Sequence, residues 1–220
     1  MLIACWSVKG GSGTTVAAAS LAVLLARRRE TDVVVADLGG DLPGALGLPD
    51  TGGPGLAGWL SAGPDVAADA LVRLEVDAGP HLRLLPWGDD AGSPIRSATV
   101  ADGERLALSL AGRRPVVVDC GPPGTAAGAA VASTATVSLL VLRPCFLALR
   151  RAVAAPFRPS GVLLVEEPGR ALHRGDVEDV LGVPVAATIP WDPAVARAVD
   201  AGLLAKRVPR TLARALREAA

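Results

Sequence analysis

The 220-residue sequence has no asparagine, no glutamine and no tyrosine, and only two of its 22 basic residues are lysines, Lys9 and Lys206. Without Asn there is no acceptor for N-glycosylation. Without Gln, no such side chain orients a water, and no carboxamide of either kind reads a nucleobase. Cysteine is scarce: Cys5, Cys120 and Cys145 are far apart and odd in number. That pattern excludes a disulfide scaffold or a zinc framework and makes a reducing cytoplasm the expected location. The opening Met1-Leu2-Ile3-Ala4-Cys5-Trp6 has no basic segment ahead of an apolar one, so no leader is expected. No apolar run reaches the ~18–20 residues needed to span a bilayer. Excess charge is missing too, since the formal net charge is zero, which argues against a generic polyanion binder while leaving local patches open.

Half of the residues are hydrophobic and a fifth are charged, enough apolar material for one sizeable core, and residues 1–220 read as a single domain. Short β-branched runs alternate with Ala/Leu-rich stretches. Strands are expected at Leu2–Val8, Asp32–Asp37, Leu82–Leu85, Pro115–Asp119, Thr136–Leu142, Gly161–Val165 and Val183–Ile189. Helices are expected near 15–29, 54–62, 65–74, 102–112, 125–133, 146–155, 176–181, 192–201 and 208–219. Continuous apolar strands separated by helices predict an α/β fold, a mostly parallel sheet flanked by helices on both faces. Right-handed crossovers then bring the C-terminal strand ends to one edge, where ligands bind. The Gly/Pro-rich stretch from Gly39 to Pro54 reads as a mobile loop.

After the first strand comes Lys9-Gly10-Gly11-Ser12-Gly13-Thr14-Thr15, which opens directly into a helix. Such glycines let backbone N–H groups turn inward, and the helix N-terminus adds partial positive charge, a combination suited to a phosphate chain. A full P-loop, G-x-x-x-x-G-K-[ST], requires Lys where this chain has Thr14. Thr15 still offers a hydroxyl to a magnesium ion.

The segment from Lys9 to Thr15 resembles the deviant Walker A motif, K-G-G-x-G-K-[ST]-T, of the ParA/MinD family of P-loop ATPases. Lys9 matches the lysine that in that family reaches across a nucleotide-sandwich dimer. The resemblance runs along nearly the whole chain. Asp37 falls on the first carboxylate of the D-x-D switch I motif, and Leu84-Leu85-Pro86-Trp87-Gly88 on the L-L-P-x-G strand end. Val116–Asp119 with Gly121-Pro122-Pro123-Gly124 looks like the Walker B strand and switch II turn, and Val137–Pro144 like the strand ending V-x-x-P. Leu181–Val185, Ile189-Pro190-Trp191-Asp192 and Ala198–Gly202 follow the closing pattern. The resemblance implies a P-loop NTPase fold, ATP and Mg as cofactors, a phosphate cradle of Gly10, Gly11, Ser12, Gly13, Thr14 and Thr15, and metal contacts from Thr15, Asp37 and Asp119. Asp119 reads equally as a simple strand-end cap.

Three departures fall on the chemistry. The phosphate lysine is Thr14, and a charge-assisted hydrogen bond of about 1.5–3 kcal/mol goes with it, an order-of-magnitude affinity loss or more. The second switch I carboxylate, which positions water, falls on Gly39; Asp41 lies two residues on and takes that role only in a rearranged loop. The adenine-reading Asn after the Gly161–Val165 strand is replaced by Glu166-Glu167-Pro168, expected as a solvated turn. Trp191 borders the base pocket, either stacking on a base or, the favoured expectation, filling its space.

The expected function is therefore a ParA/MinD-like protein with degenerate Walker motifs: a dimeric binding or positioning factor with weak or no ATP hydrolysis. Partitioning, division-site placement and secretion or pilus placement are the roles that the resemblance implies. Two alternatives stay open: a slow but genuine Mg-dependent ATPase using Lys9 and Asp41, and a nucleotide-free interaction scaffold. Implied partners are a second copy, or an intact relative in a heterodimer, and a protein of a positioning or secretion system. Arg210, Arg214 and Arg217 share one helical face opposite Val208, Leu212 and Leu216, so nonspecific DNA is a further candidate. Membrane contact is disfavoured because this helix has no aromatic anchors, and docking on the domain is expected instead. His81 and His173 lack metal-ligand spacing.

Overall fold

The computed structural model describes the whole chain except residues 29–31, 50, 68, 90–96, 113, 122 and 218–220. The expected helix ends at 29 and 219, and Pro122 of the Gly121–Gly124 turn, lie outside the described residues. Eight strands form one sheet: β1 (Leu2–Trp6), β2 (Val33–Asp37), β3 (Val76–Gly79), β4 (Leu82–Leu85), β5 (Val116–Asp119), β6 (Val137–Leu142), β7 (Gly161–Glu166) and β8 (Val185–Pro190), in the order β3-β4-β2-β5-β1-β6-β7-β8. All neighbours are parallel except β3 and β4. The described helices are α1 (Thr14–Ala26), α2 (Leu42–Leu46), α3 (Leu56–Ser61), α4 (Ala70–Leu74), α5 (Val100–Leu110), α6 (Ala126–Thr134), α7 (Phe146–Val153), α8 (Arg174–Leu181), α9 (Pro193–Asp200) and α10 (Arg210–Leu216).

Residue alternation along β1 divides the core. Leu2, Ala4 and Trp6 join one buried cluster with residues of α3, α5, α6, α7 and α8, while Ile3 and Cys5 join another with α1, α2 and α10. A sheet covered on both faces needs strands apolar on both faces, and β1, β2 and β5 are buried at every position. Helix α1 follows the same logic: it is buried continuously from Ala17 to Ala26, as expected of a helix apolar all round. Its small alanines let it lie against β5 and under α2 and α10.

Two elements were not expected. Strand β3 (Val-Asp-Ala-Gly) has little strand propensity and exists through antiparallel pairing with β4 at the sheet edge. Helix α2 lies inside the stretch expected to be a mobile loop; its Pro43 sits in the first turn, where no N–H is required. Expected helix 65–74 contracts to α4, and β1 ends at Trp6 rather than Val8 because the chain turns at once into the glycine loop.

The topology positions the site. Strands β2, β5 and β1 are adjacent and parallel, so their C-terminal ends share one edge. Asp37 and Asp119 are register partners there, and Cys5 pairs with Asp119 on the other side.

Candidate functional site

The loop from Lys9 to Gly13 leaves β1 and enters α1 through Gly13, whose φ of 89° is left-handed and favours glycine. A Cβ added at Gly10, Gly11 or Gly13 would meet nothing within 4 Å, so the loop surrounds open space. No side chain caps α1, which leaves its first N–H groups directed at that space. The buried Ser12 hydroxyl donates to the Lys9 carbonyl at 2.8 Å and fixes the loop from within. The Lys9 side chain is exposed and pairs with no carboxylate among the described residues. Thr14 is the first residue of α1 and brings no charge.

The two strand-end carboxylates are nearly sealed from solvent, Asp37 at 0% and Asp119 at 1% exposure. Asp37 anchors the following turn: Oδ1 accepts from Gly39 and Gly40 N–H at 2.9 and 2.8 Å, and Oδ2 from Leu42 N–H at 2.9 Å. That carboxylate starts α2, which is why the expected loop is helical. Burial first, then the neighbouring Asp119, pushes the Asp37 carboxyl up to about 6, against the pull of its three N–H donors. Asp119 is also raised, by burial above all. The Thr15 hydroxyl and the Gly121 N–H (3.1 Å) draw it down, and Asp41 raises it again. Asp119 Oδ2 is buried and has no partner within hydrogen-bond geometry. Thus Thr15 and Asp37 lie beside Asp119, and Asp41, exposed at the N-terminus of α2, acts on it at longer range.

Gly39 lies over this pair. A Cβ there would be 3.7 Å from Asp37 Oδ1 and 3.8 Å from Asp119 Oδ2. A carboxylate at position 39 would therefore point into the site, and this chain has none.

Two acids side by side, one with an orphaned oxygen, and an open cradle beside them fit a magnesium ion carried in on phosphates. Magnesium keeps several waters and takes few protein ligands; accordingly, among the described residues no cluster of three or more His, Cys, Asp or Glu could hold a metal unaided. Cys5 and Cys120 are fully buried, and their thiols are pushed up by burial and by Asp119, so they are packing groups and not nucleophiles.

Beside the cradle is a cavity of about 340 Å³ lined by residues including Gly11, Gly13, Arg143, Val165 and Trp191. Two expectations change here. Trp191 does not fill this space: its backbone N–H is held by the Glu166 carbonyl at 2.7 Å, the residue is 52% exposed, and the cavity that it lines stays open. Glu167 is not in a solvated turn either. Its side chain is only 16% exposed and pairs with both Arg143 and Arg170. Sequence reasoning missed Arg143, because nothing in the strand ending Val137–Pro144 shows that it returns to the glycine loop, where Nη1 donates to the Gly11 carbonyl at 3.1 Å.

Away from the site, Arg28, Arg210, Arg214 and Arg217 line a groove of about 770 Å³ between α1 and α10 and have no carboxylate partner among the described residues. Arg27 there is engaged by the Ala205 and Lys206 carbonyls. Val208, Leu212 and Leu216 are buried, so α10 docks on the domain as expected. No described helix is long and apolar enough to cross a membrane.

No family model matches the chain, and no curated protein matches it. Solved structures do. The septum site-determining protein MinD of Pyrococcus horikoshii OT3, complexed with Mg-ADP, superposes with a TM-score of 0.79 at 23% identity over 99% of this chain and 93% of that one. The fold is that of the ParA/MinD ATPases. The cell division ATPase MinD of Pyrococcus furiosus gives 0.78 at 24% identity, covering 100% and 99%. A ParA family ATPase from Chlorobium tepidum TLS gives 0.77 at 21%, covering 98% and 96%. At these identities the likeness establishes the ParA/MinD fold, and the residues of the site decide what this chain does with it.

Proposed function

We propose that this protein is a ParA/MinD-like nucleotide-binding factor whose site has been partly dismantled. It binds Mg-ATP or Mg-ADP weakly, has residual ATP hydrolysis at most, and acts as a dimer in placing a partner or cargo. The observation that carries this reading is the contrast within one site. The open glycine cradle and the Thr15–Asp37–Asp119 group persist, while the cation position is Thr14 and the position facing both acids is Gly39. That one structural neighbour holds Mg-ADP supports the choice of ligand. When bound, magnesium would neutralise phosphate charge. Thr15 and Asp119 would hold it and its waters, with Asp37 keeping the adjoining turn in shape. Lys9, exposed and without a carboxylate partner among the described residues, would reach toward a second copy. The cargo belongs to the class that partitioning, division-site or secretion systems place, and the arginine groove is the candidate surface for nonspecific DNA.

One observation favours a second reading, a slow ATPase. Asp41, exposed at the N-terminus of α2, raises the Asp119 carboxyl, and a rearrangement of α2 that carried it to the site would let it orient water.

Calorimetry with Mg-ATP and Mg-ADP, together with phosphate-release assays, tests both. Weak binding without turnover supports the degenerate site. Binding tighter than ~100 µM (about −5.5 kcal/mol) with steady phosphate release supports the slow ATPase and refutes the first reading. Absence of binding at millimolar ATP refutes both and leaves a nucleotide-free scaffold. Thr14→Lys with Gly39→Asp should raise affinity and turnover together.

A further inference from the structure

We propose that Arg143 is the phosphate-binding cation of this site, supplying from β6 the charge that Thr14 lacks; the assignment rests on the nucleotide reading above. Strand β6 pairs with β1, so the residue following β6 emerges beside the glycine loop that follows β1. Arg143 Nη1 donates to the Gly11 carbonyl at 3.1 Å, and the side chain lines the same cavity as Gly11, Ser12 and Gly13 at the entrance to α1. Its guanidinium is thus parked at the cradle, one residue from a glycine whose Cβ would project into open space.

Arg143 does not have its carboxylate partner to itself. Nη2 pairs with Glu167, but Glu167 is shared with Arg170, whose Nε donates to it at 2.7 Å. Two guanidiniums thus share Glu167, while Asp192 and Asp200 line the same cavity, so what singles out Arg143 is its place at the glycine loop and not the net charge of the cavity. A guanidinium has five N–H donors in a rigid plane; among the described residues Gly11 and Glu167 engage this one, and its side chain remains 41% exposed. Because the group is already held in place, a phosphate oxygen would gain a charge-assisted bond with little further ordering. A second arginine gives the structural control: Arg151 Nη1 donates to the Val8 carbonyl at 3.4 Å, a loop contact like that of Arg143. It lines a different cavity, with Trp6, Gly121 and Phe157.

The test measures ATP binding by calorimetry and adenosine binding by saturation-transfer NMR for the wild type and for Arg143→Ala, Arg151→Ala, Arg143→Ala/Thr14→Lys and Arg143→Lys, each checked for an unchanged circular dichroism spectrum. Expected is a loss of about tenfold or more in ATP affinity for Arg143→Ala, with adenosine binding unchanged and partial retention in Arg143→Lys. Thr14→Lys should restore ATP binding in the Arg143→Ala background, and Arg151→Ala should stay within about twofold of wild type. The assignment is overturned if Arg143→Ala binds ATP like wild type, if it loses adenosine equally, if Arg151→Ala matches its loss, or if Thr14→Lys gives no rescue. Wild-type protein that fails to bind ATP at all refutes the nucleotide reading itself, an outcome distinct from each of these.

Discussion

Replacing Asp37 with asparagine separates the charge of a sealed carboxylate from its hydrogen bonds. In the folded protein this carboxyl is raised from 3.8 to about 6, while in the unfolded chain it titrates near 4. Between those values the folded state keeps a proton that the unfolded state has released. Stability from this group is therefore fully present below about pH 4, declines as pH rises to about 6, and is flat above. Roughly two pH units at 1.36 kcal/mol each give about 3 kcal/mol. Asp37→Asn does not titrate, so it escapes that decline. It loses at least one N–H partner, because Gly39, Gly40 and Leu42 all donate to the carboxylate and an amide nitrogen cannot accept. That loss costs about 1–3 kcal/mol at any pH. The variant should consequently be clearly destabilised at pH 4 and nearly neutral at pH 8, with the two ΔΔG values differing by about 2–3 kcal/mol. Urea unfolding at both pH values, followed by circular dichroism in magnesium-free buffer, measures this difference. A ΔΔG that is the same at both pH values, or larger at pH 8, would refute the claim that Asp37 is raised by burial beside Asp119.

Three other outcomes follow from the packing and charge. Gly103→Ala should destabilise by about 1–3 kcal/mol although alanine is the better helix former, because the added Cβ would meet the Ala127 carbonyl of α6 at 2.4 Å; thermal melting reads this, and an unchanged or higher Tm contradicts it. Gly39→Asp alone places a third carboxylate over Asp37 and Asp119, so it should lower Tm in magnesium-free buffer and recover it with Mg-ADP. A loss that Mg-ADP does not reverse would place the metal elsewhere. Duplex DNA retardation should weaken with the triple Arg210→Ala, Arg214→Ala, Arg217→Ala change, and the dependence of log affinity on log salt should flatten by about 0.9 for each phosphate contact removed. If the wild type does not retard DNA at low salt, the arginine groove is not a DNA surface.

Much of the architecture can be read from periodicity alone. Val33–Asp37 and Val116–Asp119 are too uniformly apolar to be anything but buried strands, and the glycine run from Gly10 to Gly13 marks the turn between β1 and α1. The resemblance to the ParA/MinD pattern singles out Thr14 and Gly39, and a Cβ at Gly39 would face both acids. Strand β3 and helix α2 were illegible for opposite reasons. One has weak propensity rescued by a neighbouring strand; the other contains Pro43 and Gly44 and is begun by a carboxylate on the preceding strand. Glu167 and Trp191 were misjudged because their surroundings come from distant segments: Arg143 lies 24 residues before Glu167 in the numbering of the chain.

The sequence by itself determined which groups exist. It has no carboxamide to read a base, two lysines with one in the loop, a neutral residue where a phosphate lysine would stand, and strands apolar enough to require a sheet covered on both faces. Those are matters of composition and local pattern, and they need no knowledge of what lies across the fold. Only the tertiary structure decided which groups meet. Strand order brings the ends of β2, β5 and β1 together, so two ordinary aspartates become a coupled, sealed pair. The pairing of β6 with β1 delivers Arg143 to the glycine loop, where it donates to the Gly11 carbonyl. Burial, local charge and hydrogen-bond geometry depend on residues far apart in the chain, 132 positions for Arg143 and Gly11, and the chain acquires them only when the sheet closes.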